Sequence, residues 1–173
     1  NRYHHIQHLL LSLQSDLQFL QVLLHHGSNL PHSEKTNILP LPSVLPEANT
    51  RNETNTNDSN VLLVNRTWTD KGLTINFLLN KNDGKMTFHS CELTNNTYAF
   101  AGLRVGNGIE VLRKFNENAD KAGFELEKGC KILDDNTITW VNKENESYDG
   151  INHKIEIVTK SGIISKIKIS NHP

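Results

Sequence analysis

The chain has 173 residues, with 18 Lys and Arg against 19 Asp and Glu and a formal net charge of -1. The signs are interspersed, so no basic stripe can neutralise a phosphate backbone or hold an anionic bilayer, and nucleic acid is not expected as a partner. No window reaches the roughly eighteen consecutive apolar residues of a membrane span, and the chain opens on Asn1, so an anchoring segment upstream of it is expected.

Residues 1–26 read as an amphipathic or coiled-coil helix. Ile6, Leu10, Leu13, Leu17, Leu20 and Leu24 recur at alternating steps of four and three, the spacing of a seam for a partner or an oligomer. Leu9, Phe19, Val22 and Leu23 widen that face, so packing onto the same protein stays open. Residues 27–60 read as a linker: Pro31, Pro40, Pro42 and Pro46 come first, then an Asn/Thr-rich run, neither with an apolar period to offset ordering entropy.

Residues 61–173 read as a compact α+β domain, a mostly antiparallel sheet with one packed helix. Leu73, Ile75, Phe77 and Leu79 alternate with polar residues, "NKNDG" turns the chain, and "KMTFHSCEL" returns, which is a hairpin. "TITWV" puts Ile138 and Trp140 on one face. In the last hairpin Ile155 and Ile157 answer Ile167 and Ile169, while Lys154, Glu156, Lys166 and Lys168 take the other face.

The stretch "GLRVGNGIEVLRKF" puts three glycines before a helix without matching a dinucleotide fingerprint or a P-loop. Asn107 is the expected N-cap with Glu110 completing a capping box, Ile109, Leu112, Phe115, Ala119 and Ala122 form the apolar face, and Gly123 is the C-cap. Arg104 is the nearby candidate for holding an anion, and a solvated arginine is the alternative.

Cys91 and Cys130 lack the spacing of a zinc site. A disulfide between them is expected, worth roughly 4 kcal/mol in the chain-entropy model, with two buried thiols as the alternative. His4, His8, His25 and His26 cluster near the helix ends and are candidates for sensing acidification, against a bland solvent-facing reading. Adjacent residues on a strand face opposite ways, so His89 and Ser90 do not form a dyad, and Asp134 and Asp135 read as turn charges. No enzyme, cofactor or metal is therefore expected. Phe77, Phe88, Phe115 and Trp140 read as core, with a lipophilic pocket for a small apolar ligand as the sharper alternative.

The run "GLRVGNGIEVLRKFNENADKAGFEL" followed by "YDGINHKIEIVTKSGIISKIKIS" resembles small extracytoplasmic bacterial domains of the BamE-like kind. A helix, a linker, a small β-rich domain and one cysteine pair also resemble the periplasmic parts of paired virulence regulators, the ToxR/ToxS type and its PsaE/PsaF relatives. That resemblance implies a non-enzymatic periplasmic module, tethered to the inner membrane from upstream of Asn1, that binds a second membrane or periplasmic protein in transcription control and responds to an apolar ligand or to pH. The competing expectations are a structural subunit of an envelope or secretion complex, and an inhibitor or immunity-like binder of an exported enzyme.

Overall fold

A computed structural model describes residues 48–143 and 152–172. The leucine seam, the four N-terminal histidines and the proline-rich run lie outside the described residues. Among the described residues the fold has eight strands, β1 (Thr50–Asn55), β2 (Val61–Trp68), β3 (Leu73–Asn80), β4 (Met86–Leu93), β5 (Phe124–Leu126), β6 (Thr137–Asn142), β7 (Asn152–Lys160) and β8 (Ile163–His172), one α-helix, α1 (Val111–Lys121), and a single 3-10 turn at Thr69–Lys71. The strands form one sheet in the order β1-β2-β3-β4-β8-β7-β6-β5. Every neighbouring pair is antiparallel, so the sheet is two meanders joined where β4 meets β8. The mostly antiparallel sheet with one helix is the architecture that the alternating pattern predicts.

Period-2 alternation puts one row of side chains after another into the core. Leu73, Leu93, Ile167, Ile157 and Ile138 follow the strand pairing across the sheet, as do Ile75, Cys91, Ile169, Ile155 and Trp140, and all ten are buried. The helix brings Leu112, Phe115 and Ala119 to the core. Phe115 meets Trp140 edge to face at 5.0 Å, and the buried indole N–H of Trp140 donates to Asn116 Oδ1 at 2.8 Å, so the ring is packed and its polar atom satisfied together. Phe77 pairs with Phe88 across β3 and β4, and all four aromatic candidates for a pocket are packed core.

Three expectations need correction. The polar run assigned to the linker contains β1, and "NTNDSN" is the turn into β2: Asn60 N–H donates to Asp58 Oδ1 at 2.8 Å and Thr56 Oγ1 donates to the Val61 carbonyl at 3.0 Å. Asn, Asp, Ser and Thr there act as turn formers rather than as linker solubility.

The disulfide is absent: Cys91 and Cys130 are free thiols. Cys91 lies on β4, while Cys130 follows β5 and its Sγ sits 4.0 Å from the Thr137 carbonyl oxygen on β6. Strands β8 and β7 intervene, and three steps of about 4.8 Å along the sheet far exceed the roughly 4.4–6.8 Å Cα separation of a disulfide. Burial first, and the neighbouring Glu92 second, push the Cys91 thiol up to about 12, which marks it as an inert core residue.

Asn107 does not cap the helix, which begins at Val111 after Glu110, without a side-chain cap hydrogen bond. The Asn107 side chain instead accepts from the Arg104 N–H at 2.8 Å, and the Glu110 carboxylate folds against Gly108. At the other end Gly123 takes the left-handed backbone expected just past a helix.

Candidate interaction surface

The β7–β8 hairpin reverses through Ser161 and Gly162, both at positive φ, 52° and 71°. Such a two-residue turn suits the twist of antiparallel strands, and Gly162 adopts it without steric cost. Two loops clamp the tip. From one side, the glycine stretch pairs with the start of β8: Gly106 N–H donates to the Ile164 carbonyl at 2.8 Å, Ile164 N–H to the Asn107 carbonyl at 2.9 Å, and Ile109 N–H to the Gly162 carbonyl at 2.9 Å.

From the other side, Asp135 Oδ1 accepts the Gly162 N–H at 2.7 Å, and the buried Thr159 hydroxyl donates to the Asp134 carbonyl at 2.7 Å. Asn136 N–H returns a bond to Thr159 Oγ1 at 3.0 Å. The two aspartates read as turn charges therefore fasten the turn, one by its carboxylate and one by its backbone.

Three amides of the glycine stretch are already engaged within the protein. Those of Gly106, Asn107 and Ile109 all donate to protein carbonyls. Arg104 is likewise engaged, its Nη1 donating to the Asn96 and Thr97 carbonyls at 2.9 and 3.3 Å, so it holds the loop before the helix.

What the clamped tip displays is apolar. Leu133 and Ile163 are the exposed large hydrophobic residues among those described, at 41% and 48% exposure. Leu133 adjoins Asp134 and Ile163 adjoins Gly162, so both sit beside the bonds that join the loop to the hairpin. Sequence reasoning missed the pair, because nothing in an apolar residue's identity separates one that a turn turns outward from one that packs inward.

Ser90 is buried and its Oγ accepts the Asn76 amide at 2.9 Å. A register shift pairs Asn76 with Ser90 but Phe77 with Phe88, leaving His89 between them as the bulged residue.

Besides the Cys91 thiol, the fold buries an imidazole, that of His153 on β7. Asn171 Nδ2 donates to the Phe88 carbonyl at 2.9 Å, which turns its Oδ1 toward the imidazole, where His153 Nδ1 lies 3.0 Å away and donates. Burial lowers the His153 pKa below the usual imidazole value and outweighs the Asn171 hydrogen bond, which acts the other way. It joins β7, β8 and β4 at the junction of the two meanders, and it was absent from the sequence-based candidates because its burial depends on strand order.

Among the described residues, no group of three or more His, Cys, Asp or Glu side chains could hold a metal ion, and no helix is long and apolar enough to cross a membrane. Compared with known proteins, the chain matches no family model, no curated protein and no solved structure.

Proposed function

We propose that this protein is a non-enzymatic partner-binding module and that the clamped β7–β8 tip is its recognition surface. The observation that carries this reading is the placement of Leu133 and Ile163, two exposed apolar side chains, one on a loop that fastens the β7–β8 turn and one at the start of β8 beside it, where hydrogen bonds from two separate loops hold the turn. A rigid display of this kind loses little conformational entropy on association, and exposed apolar anchors gain most from being covered. The packed aromatic core supports a protein partner over a small apolar ligand, because Phe77, Phe88, Phe115 and Trp140 are occupied with one another and with their neighbours.

We propose further, from the resemblance of the helix, linker and β-rich domain to periplasmic regulator partners, that the chain acts outside the cytoplasm as a regulatory or sensory partner of another membrane or periplasmic protein. Quantitative affinity enrichment from native envelope, with the full chain as bait, tests it. Ile163→Asp and Leu133→Asp each lower recovery of the specific partner about tenfold, as expected for losing an interface anchor, while circular dichroism shows the fold retained. Equal recovery by the well-folded variants rejects the tip as the surface.

A further inference from the structure

The sheet's two edges are protected very differently. Among the described residues, strand β5 exposes three residues of edge, whereas β1 exposes six, with every side chain in solvent and with no proline, glycine or bulge to spoil pairing. Natural edge strands are usually blunted by one of those devices or by unbalanced charge. The charges on β1 are balanced, and their order is unusual.

From Thr50 to Thr54 the strand reads Thr-Arg-Asn-Glu-Thr, flanked by Asn49 and Asn55. A second β1 laid antiparallel about a twofold axis at Asn52 brings Asn52 opposite Asn52, Thr50 opposite Thr54, and Arg51 opposite Glu53 of the other copy. Each position then meets a residue of matching chemistry, and the oppositely charged Arg51–Glu53 pair forms twice by symmetry. This is the self-complementarity required of an isologous interface, in which residue i meets j and j meets i. Arg51 and Glu53 already share one face, with Arg51 Nη2 2.9 Å from Glu53 Oε1, so both charges are on the side where the opposed pairs would close a four-membered network.

From this we infer that β1 is a homodimerisation edge: two copies of the chain join β1 to β1, antiparallel and centred on Asn52, into one continuous sheet. The partner is a second copy, because a heterologous strand has no reason to require the mirrored Thr-Arg-Asn-Glu-Thr order. Neither the β7–β8 tip nor the binding role proposed for it enters this inference.

Sedimentation of the full chain and disulfide trapping test it together. Arg51→Glu and Glu53→Arg each replace two attractive pairs with two like-charge pairs and raise the dimer dissociation constant about tenfold, and the double exchange restores dimerisation. In a Cys130→Ser background, Asn52→Cys gives a symmetric cross-linked dimer on mild oxidation. Thr50→Cys does not, since its two copies would stand about 13 Å apart in this register. Overturning outcomes are a chain that stays monomeric at about 100 µM, a dimer indifferent to the single charge reversals, or cross-linking at Thr50 as efficient as at Asn52.

Discussion

The two meanders share a topology and a buried apolar face, yet their outer faces are built from opposite chemistry. Across β2 and β3 to Ser90 of β4 runs a neutral outer row: Thr67 Oγ1 donates to Asn65 Oδ1 at 3.0 Å, Asn65 Nδ2 to Asn76 Oδ1 at 2.9 Å, and Asn76 Nδ2 to Ser90 Oγ at 2.9 Å. On β7 and β8 the row is charged, with Glu156 3.7 Å from Lys154 and 4.0 Å from Lys168, and Lys166 3.4 Å from Glu92 on β4. A chain of short neutral hydrogen bonds needs each member in place, while loose ion pairs tolerate rearrangement and screening. The first outer face is therefore expected to specify strand register and the second mainly to keep the sheet soluble.

Asn76→Ala breaks the neutral row at its middle. It removes two hydrogen bonds at once and leaves the buried Ser90 hydroxyl without the amide that satisfies it. Unpairing a buried polar group costs about 1–3 kcal/mol, so urea denaturation of the variant should show a loss in that range that is indifferent to salt. A loss below about 0.5 kcal/mol would mean that the row is ornamental, the two faces then being energetically alike.

Between the two faces stands His153, which ties β7 through Asn171 to β4. Its lowered pKa sets the sign of a pH effect. The unfolded chain takes up the imidazole proton near 6.5, whereas the folded protein takes it up only at lower pH. In the interval unfolding binds a proton, so the stabilising contribution is complete above that value and is lost as pH falls through it. Denaturation midpoints at several pH values below neutrality should fall more steeply for the natural chain than for His153→Gln, and parallel curves would remove this residue as the cause.

Much of this architecture was legible in the sequence, and the reasons for the exceptions are physical. Both long hairpins, the Ile138–Trp140 strand and the apolar face of α1 follow from periodicity, because burial on one side imposes it directly. Strand β1 carries no such period, since all six of its side chains face solvent and its existence depends on β2. The Asn107–Glu110 pair has the spacing of a capping box, but β8 competes for that backbone and wins, so the cap is replaced by a tertiary pairing. The disulfide was illegible for a third reason: chain separation says nothing about the two strands that fold between Cys91 and Cys130. The tip that carries the proposed function combines all three difficulties, being built from loops without period, from tertiary backbone bonds and from a strand order that only the fold reveals.

The smallest expected effect is the one that completes the contrast between the faces. Glu156→Gln removes the carboxylate facing both Lys154 and Lys168 while keeping its size and its place on β7. Its side chain is 23% exposed and neither ion pair is shorter than 3.7 Å, so solvent and loose geometry both weaken the attraction. Pairs of this kind contribute about 0.2–1 kcal/mol, and at about 1 M salt, where screening acts over roughly 3 Å, the difference between variant and natural chain should vanish. Urea titrations at low and high salt measure it against Asn76→Ala, whose larger loss should not move. Should the Glu156→Gln loss persist at high salt, the charged row would be holding register as the neutral one does, and the distinction between the two halves of the sheet would lie in composition alone.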